Sequence, residues 1–224
     1  MEGMVGMRTA PITVTIPVGP FASNRRWLDE CLESINAQTV MPSEVLLIDD
    51  QAHLEGITGV NIWRTPWRSG VDAAFNYGVA LAQNDLVIML GSDDKLLPGA
   101  VERAWEVWSY THDRLGYYAF QIVYEDGREQ NTPCNGAMVH KDLWKLTGGF
   151  PVESGVGACD TWLLSIMIAA EGKLGNIYGI GPTPLYWYRE HPETDTAKRG
   201  EMYDVMVLAR DVFIRRTLKE LKEK

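Results

Sequence analysis

Short runs mark the first half of the chain: Ile12-Thr-Val-Thr-Ile-Pro17, rich in β-branched residues, the apolar Glu44-Val-Leu-Leu-Ile-Asp-Asp50, and Asp85-Leu-Val-Ile-Met-Leu90, which has no polar alternation. Runs of this length fit strands covered on both faces, as in a parallel sheet. A shorter run, Val60-Asn-Ile-Trp-Arg64, predicts a further strand. Between them the period changes to that of a helix. Residues 23–38 place Leu28, Cys31, Leu32 and Ile35 on one face, with Ser23 or Asn24 able to cap the start. Residues 71–83 are small and apolar. Pro98 opens a third helix to about residue 110, with Val101, Ala104, Trp105 and Trp108 facing inward. The order β-α-β-β-α-β-α predicts an α/β fold: a mostly parallel central sheet with helices on both faces.

The pattern then changes. Residues 117–124 read as one strand, followed by the turn signal Asp126-Gly127 and a polar stretch at 131–135. A short helix at 141–146 ends at Gly148-Gly149. Residues 159–171 are apolar nearly all round, which predicts a fully buried helix with Asp160 at its start. Two more strands are expected at 176–180 and 184–189. The polar run 192–200 reads as a mobile loop. An amphipathic helix over 201–221 closes the chain, with a face able to pair with a second copy.

Composition narrows the function. At 224 residues the chain is long enough for one full core. A net charge of −9 argues against general nucleic-acid binding, which needs clustered Lys and Arg to neutralise phosphates. Three widely spaced cysteines, Cys31, Cys134 and Cys159, form neither a zinc spacing nor a disulfide framework and fit a reducing cytoplasm. No run has the length of a transmembrane segment or the pattern of a signal peptide, so the expectation is a soluble cytoplasmic protein, peripheral to a membrane at most.

The chemistry concentrates at two strand ends. Asp49-Asp50 and Asp93-Asp94 would both lie at carboxyl ends of parallel strands, where open α/β sheets form their ligand crevice. Adjacent carboxylates cannot be buried bare; they need water, a basic partner or a cation. Oxygen ligands there suit Mg²⁺ or Mn²⁺, which bind through one or two carboxylates plus substrate phosphates. His191 is a candidate ligand from the far side. The simpler alternative is an acidic strand-to-helix turn, with Asp94 capping the next helix and Asp160 capping its own.

The order of several segments resembles the inverting family 2 glycosyltransferases with the GT-A fold. These are Thr13-Val-Thr-Ile-Pro-Val18, Ser34-Ile-Asn-Ala-Gln-Thr39, Val45-Leu-Leu-Ile-Asp-Asp50, Gly70-Val-Asp-Ala-Ala-Phe-Asn-Tyr-Gly78 and Leu90-Gly-Ser-Asp-Asp94. Asn135-Gly-Ala-Met138, Leu146-Thr-Gly-Gly-Phe150, Asp160 and Pro184-Leu-Tyr-Trp-Tyr-Arg189 follow in the same order. The resemblance, over roughly residues 11–191, implies a nucleotide-sugar-binding half at 11–110 and an acceptor-binding half at 111–200; a flexible N-terminus is expected at 1–10 and a C-terminal helix at 201–224. It implies that Asp50 reads the nucleotide base and that Asp160 is the general base. Asp93 and Asp94, with His191, would hold ribose, diphosphate and a Mn²⁺ or Mg²⁺ ion. Pro17 would lie beside the donor, and Arg68, before a helix start, is a candidate phosphate contact.

The chain departs from the family pattern at Gly91, where many members carry the first aspartate of the motif, and at Cys159, where a glutamate commonly precedes the base. The expected reaction is transfer of a sugar from a nucleotide-diphospho-sugar, with a UDP-sugar as the expected donor, to an acceptor hydroxyl with inversion. Two alternatives belong to other classes: a catalytically weak nucleotide-sugar-binding module, and a sugar-phosphate nucleotidyltransferase. The latter normally carries a Gly-rich basic loop after the first strand, and Val18-Gly-Pro-Phe-Ala-Ser-Asn24 is a poor one.

Overall fold

In the computed structural model, residues 8–130, 136–152, 159–170, 174–192 and 214–220 are described, with backbone only at 23, 159–162 and 164. The chain alternates strand and helix from β1 (Thr9–Val18) through α1 (Ala22–Arg26), α2 (Leu28–Asn36), β2 (Met41–Asp49), β3 (Asn61–Arg64) and α3 (Val71–Leu81). It continues with β4 (Leu86–Met89), β5 (Lys95–Leu96), α4 (Ala100–Thr111), β6 (Tyr117–Ala119) and β7 (Ile122–Tyr124). The remainder is β8 (Glu129–Gln130), β9 (Ala137–His140), α5 (Lys141–Thr147), α6 (Cys159–Ala169), β10 (Ile177–Gly179) and β11 (Tyr186–Tyr188).

A seven-stranded sheet runs in the order β10-β6-β9-β4-β1-β2-β3. Only β9 is antiparallel to its neighbours, so the expected mostly parallel sheet is present. Along β1 the side chains alternate. Ile12, Val14, Ile16 and Val18 face one core with Leu28, Cys31 and Ile35 of α2 and Val101 and Ala104 of α4. The other face is covered by α3, α5 and α6 through Phe75, Val79, Leu143, Leu163 and Ile166. Helix α3 crosses β1 closely at Gly78, where an added Cβ would lie 1.9 Å from Thr15 Oγ1. Pro17 is tolerated in this central strand because pairing with β4 ends at Thr15–Met89 and only β2 continues alongside, to Val18–Asp49.

A second sheet, β5-β11-β7-β8, stands against the first. The expected single strand at 117–124 breaks here. Tyr117–Ala119 pairs in the large sheet, while Ile122–Tyr124 pairs with β11 and β8 in the small one. The expected helix at 23–38 also breaks, at Trp27 (φ −111°, ψ 4°), whose indole packs on residues of the second half of the chain. Gln38, just beyond α2, ties the layers together. Its amide donates to the carbonyls of Ser34, Leu96 and Leu97 and accepts from Val101 N in the first turn of α4.

Helix α6 is not buried all round as expected. Leu163, Ile166 and Met167 are buried, but Ile168 is 61% exposed. Of the expected C-terminal helix, residues 214–220 are helical, with Ile214 buried in the same core as Phe75; the rest lies outside the described residues. So do residues 193–200 of the expected loop and 131–135 of the polar stretch. Among the described residues no helix is long and apolar enough to cross a membrane.

Candidate active site

The first aspartate pair closes the carboxyl end of β2, and both members are buried. Asp49 Oδ1 accepts from the amides of Ala52 (2.7 Å) and His53 (3.0 Å), and Oδ2 from Leu54 N (3.0 Å) and Arg64 Nε (2.8 Å). Burial pushes the Asp49 carboxyl up, but Arg64 and the Leu54 and Ala52 amides outweigh it and hold it below the usual range. Asp50 binds the segment that leads into α3. Its Oδ1 accepts from Thr65 Oγ1 (2.9 Å), Ser69 N (2.7 Å) and Ser69 Oγ (2.8 Å), and its Oδ2 from Gly70 N (2.8 Å). Asp50 therefore shapes the wall of the crevice between β2 and α3.

The second pair lies in the turn after β4, closed by Asp94 N donating to Gly91 O at 3.2 Å. Asp94 is buried; its Oδ2 accepts from Tyr186 Oη at 2.6 Å and its Oδ1 from Arg189 N at 2.9 Å. Burial, reinforced by the Asp93 charge, pushes its carboxyl well above the usual range against those two hydrogen bonds. Asp93 differs: its side chain is 24% exposed, and Oδ2 lies 3.0 Å from His191 Nε2. The Asp93 backbone carbonyl accepts from Arg189 Nε at 2.9 Å. Gly91, at the departure from the family pattern, has no room for a side chain. A Cβ there would sit 2.6 Å from Asp94 Oδ2 and 2.9 Å from Asp93 Oδ1.

Around this turn stands a cluster that sequence reasoning missed. The Arg189 guanidinium lies 4.6 Å from the Trp27 ring centre and 4.5 Å from that of Trp187, and its Nη2 donates to Glu30 at 2.9 Å. Lys95 lies 4.0 Å above Trp187 and also reaches Glu30, at 3.3 Å. The His191 ring meets Trp27 at 4.4 Å. The available signal was the aromatic run ending in Arg189, quoted above only for its order in the chain. Trp187 in that run has both cations against its ring.

The other predicted residues fall as follows. Pro17 is buried in β1 beside Ile48. Arg68 is exposed and stacks 4.8 Å from the Phe21 ring at the N-terminus of α1, and Trp67 is 64% exposed. Asp160 is the second residue of α6, its side chain outside the described set. The structure thus brings Asp93, Asp94 and His191 into one cluster, with Asp50 at the end of another strand of the same sheet.

Two of these residues suit a hard divalent cation. Donor atoms 3.0 Å apart, as in Asp93 and His191, match neighbouring ligands of a six-coordinate ion with bonds of about 2.1 Å. Asp94, by contrast, has both oxygens engaged by Tyr186 and Arg189. Among the described residues no group of three or more His, Cys, Asp or Glu gathers to hold a metal, so the remaining ligands would be water and substrate phosphate.

Comparison with known proteins places the fold in a family. The model of the glycosyl transferase family 2 matches residues 20–148, more than half of the 224 residues. The chain belongs to that family. No curated protein matches its sequence. Among solved structures it is similar to S. aureus TarS 1–349 in complex with UDP-GlcNAc, with a TM-score of 0.70 at 14% identity over 90% of this chain. A TarS 1–349 complex with UDP gives 0.65 at 16% identity over 95% of the chain. The longer TarS structure gives 0.62 at 16% identity, again over 95%. The likeness is one of fold. This family 2 chain spans 66% of the first of those chains, 71% of the second and 43% of the longer one.

Proposed function

We propose that this family 2 glycosyltransferase moves a sugar from a UDP-sugar to an acceptor hydroxyl with inversion, assisted by Mn²⁺ or Mg²⁺. The observation that carries the reading is the Asp93–His191 pair, 3.0 Å apart, in the turn beyond the carboxyl end of β4. Support for a uridine nucleotide comes from the shared fold with TarS, solved with UDP and UDP-GlcNAc. Asp93 and His191 would hold the cation, which when bound supplies charge neutralisation for the departing diphosphate.

The chain's own groups do the rest. Asp50 fixes residues 65–70 as one wall of the nucleotide site, with a lone pair of Oδ2 left to accept from the base. Asp160, the second residue of α6, is the base in this reading, and a helix N-terminus favours the ionised form of a carboxylate. Its carboxylate takes the acceptor hydroxyl proton as that oxygen attacks the anomeric carbon from the side opposite the diphosphate. Inversion follows from this single displacement. The free thiol of buried Cys31 fits a reducing, cytoplasmic setting.

Gly91 favours one second reading, a nucleotide-sugar-binding module, because the space of a first carboxylate is closed there. The Asp160→Asn variant separates the two. UDP with Mn²⁺ is expected to raise the melting temperature of both proteins, while turnover of UDP-sugars falls about 10²–10⁴-fold in the variant. Equal turnover by wild type and variant would remove Asp160 as the base. Indifference of the melting temperature to UDP and to every UDP-sugar would overturn the donor assignment.

A further inference from the structure

We infer that Arg189 is a positioning residue, which sets the separation of Asp93 and His191 and thereby the affinity of the site for its divalent cation. The inference rests on the cation reading above and adds a residue to it. Arg189 is the point where three parts of the fold meet. Its amide donates to Asp94 Oδ1, its Nε to the Asp93 carbonyl, and its Nη2 to Glu30 of α2. Arg189 is only 8% exposed, and its guanidinium lies 4.6 Å from the ring centre of Trp27 and 4.5 Å from that of Trp187.

A planar fork in such a slot has little freedom, and the backbone it carries has little more. One residue separates Arg189 from His191. That residue, Glu190, accepts from Arg128 Nη2 at 2.6 Å, so both residues leading into His191 are tied. Trp27 completes the seat, touching the guanidinium on one hand and the imidazole on the other. Arg189 thus addresses the backbone of one candidate ligand and the chain path of the other. Side chains that orient metal ligands in this way commonly change metal affinity 10- to 100-fold when removed.

Electrostatics makes the inference sharp. Arg189 is a cation beside a cation site, so by its field alone its removal would tighten metal binding. Positioning demands the opposite sign. The experiment is a Mn²⁺ titration in the presence of UDP, with free Mn²⁺ counted by electron paramagnetic resonance, on wild type, Arg189→Gln, Arg189→Lys, His191→Ala and the double variant. Arg189→Gln is expected to weaken Mn²⁺ retention about tenfold or more. Arg189→Lys should recover only part, because an ammonium lacks the fork. In the His191→Ala background the same Arg189→Gln change should have less than half its effect, since one of the two ligands it aligns is gone.

Glu30→Gln loosens the guanidinium's outer anchor and also releases Lys95; it serves as the variant least able to disturb folding, a loss of about threefold is expected, and the test of sign rests on Arg189→Gln, where the charge removed is positive. Tighter or unchanged Mn²⁺ binding in Arg189→Gln would overturn the inference alone, as would a full Arg189→Gln effect in the absence of His191. Wild type that leaves all Mn²⁺ free with UDP present would overturn the cation reading, and the inference with it.

Discussion

Asp49-Asp50 and Asp93-Asp94 are the same dipeptide at the same kind of place, just past the end of a parallel strand, yet they do different work. In the β2 turn both carboxylates are turned onto the chain: eight donor contacts, four to each, pin residues 52–54, Arg64, Thr65 and residues 69–70. In the β4 turn the labour is divided. Asp94 is buried and structural, while Asp93 is partly exposed and points at an imidazole. Ligand chemistry therefore depends on the carboxylate that the local donors leave over. Counting acidic residues at strand ends does not reveal which one that is.

Substitutions can break this comparison at several points. The largest effect is expected for Asp93→Asn: a fall in kcat of about 10²–10³-fold, the loss seen when a preorganised charge partner is removed, with a nearly unchanged melting temperature. If Asp93→Asn instead unfolded the protein while Asp49→Asn abolished turnover of folded enzyme, the two turns would have been assigned the wrong way round.

Asp49→Asn should cost about 1–3 kcal/mol of stability, because an amide cannot accept at both positions from Ala52, His53, Leu54 and Arg64, while turnover per folded molecule stays close to wild type. Its acid behaviour follows from the sign of the shift. The native Asp49 pKa lies below that of the unfolded chain, so its contribution is complete above about pH 4 and is lost as pH falls through the native value. Urea midpoints of wild type and Asp49→Asn should therefore differ most at pH 7 and converge towards pH 3.

The smallest effect is expected for Gly91→Ala, about 1–3 kcal/mol of destabilisation, since its methyl group meets the Asp93 and Asp94 carboxylates at under 3 Å. Gly91→Asp should likewise fail to strengthen Mn²⁺ binding, although it restores the residue common in the family. A tighter Mn²⁺ site in Gly91→Asp would show that the turn can open to make room.

The sheet was legible because β2 and β4 carry unbroken apolar runs and β1 is rich in β-branched residues, and burial on both sides writes itself into composition. The break at 120–121 was not. Tyr117 to Tyr124 reads as continuous strand, and only the partners, β9 and β10 for one half and β11 and β8 for the other, divide it. Trp27 interrupts a good helical period for a contact with Arg189 some 160 residues later, information that no local window contains. The resemblance named Asp93 and His191, which lie 3.0 Å apart in the structure. It gave no hint that Asp94 and Asp50 spend their oxygens on their own chain, because the donors responsible, Tyr186 Oη and the amides of Ser69, Gly70 and Arg189, have no sequence signature of their own.

The passage of one polypeptide from the large sheet into the small one within residues 119–122 has a practical consequence for chimeras. Leu185 and Tyr186 hang from the Gln121 carbonyl, and Tyr186 in turn holds Asp94. A transplant that exchanges the tail of the molecule between relatives has to carry 117–124 and 184–191 as one cassette, or the recipient's first half receives a strand whose hydroxyl arrives in the wrong place.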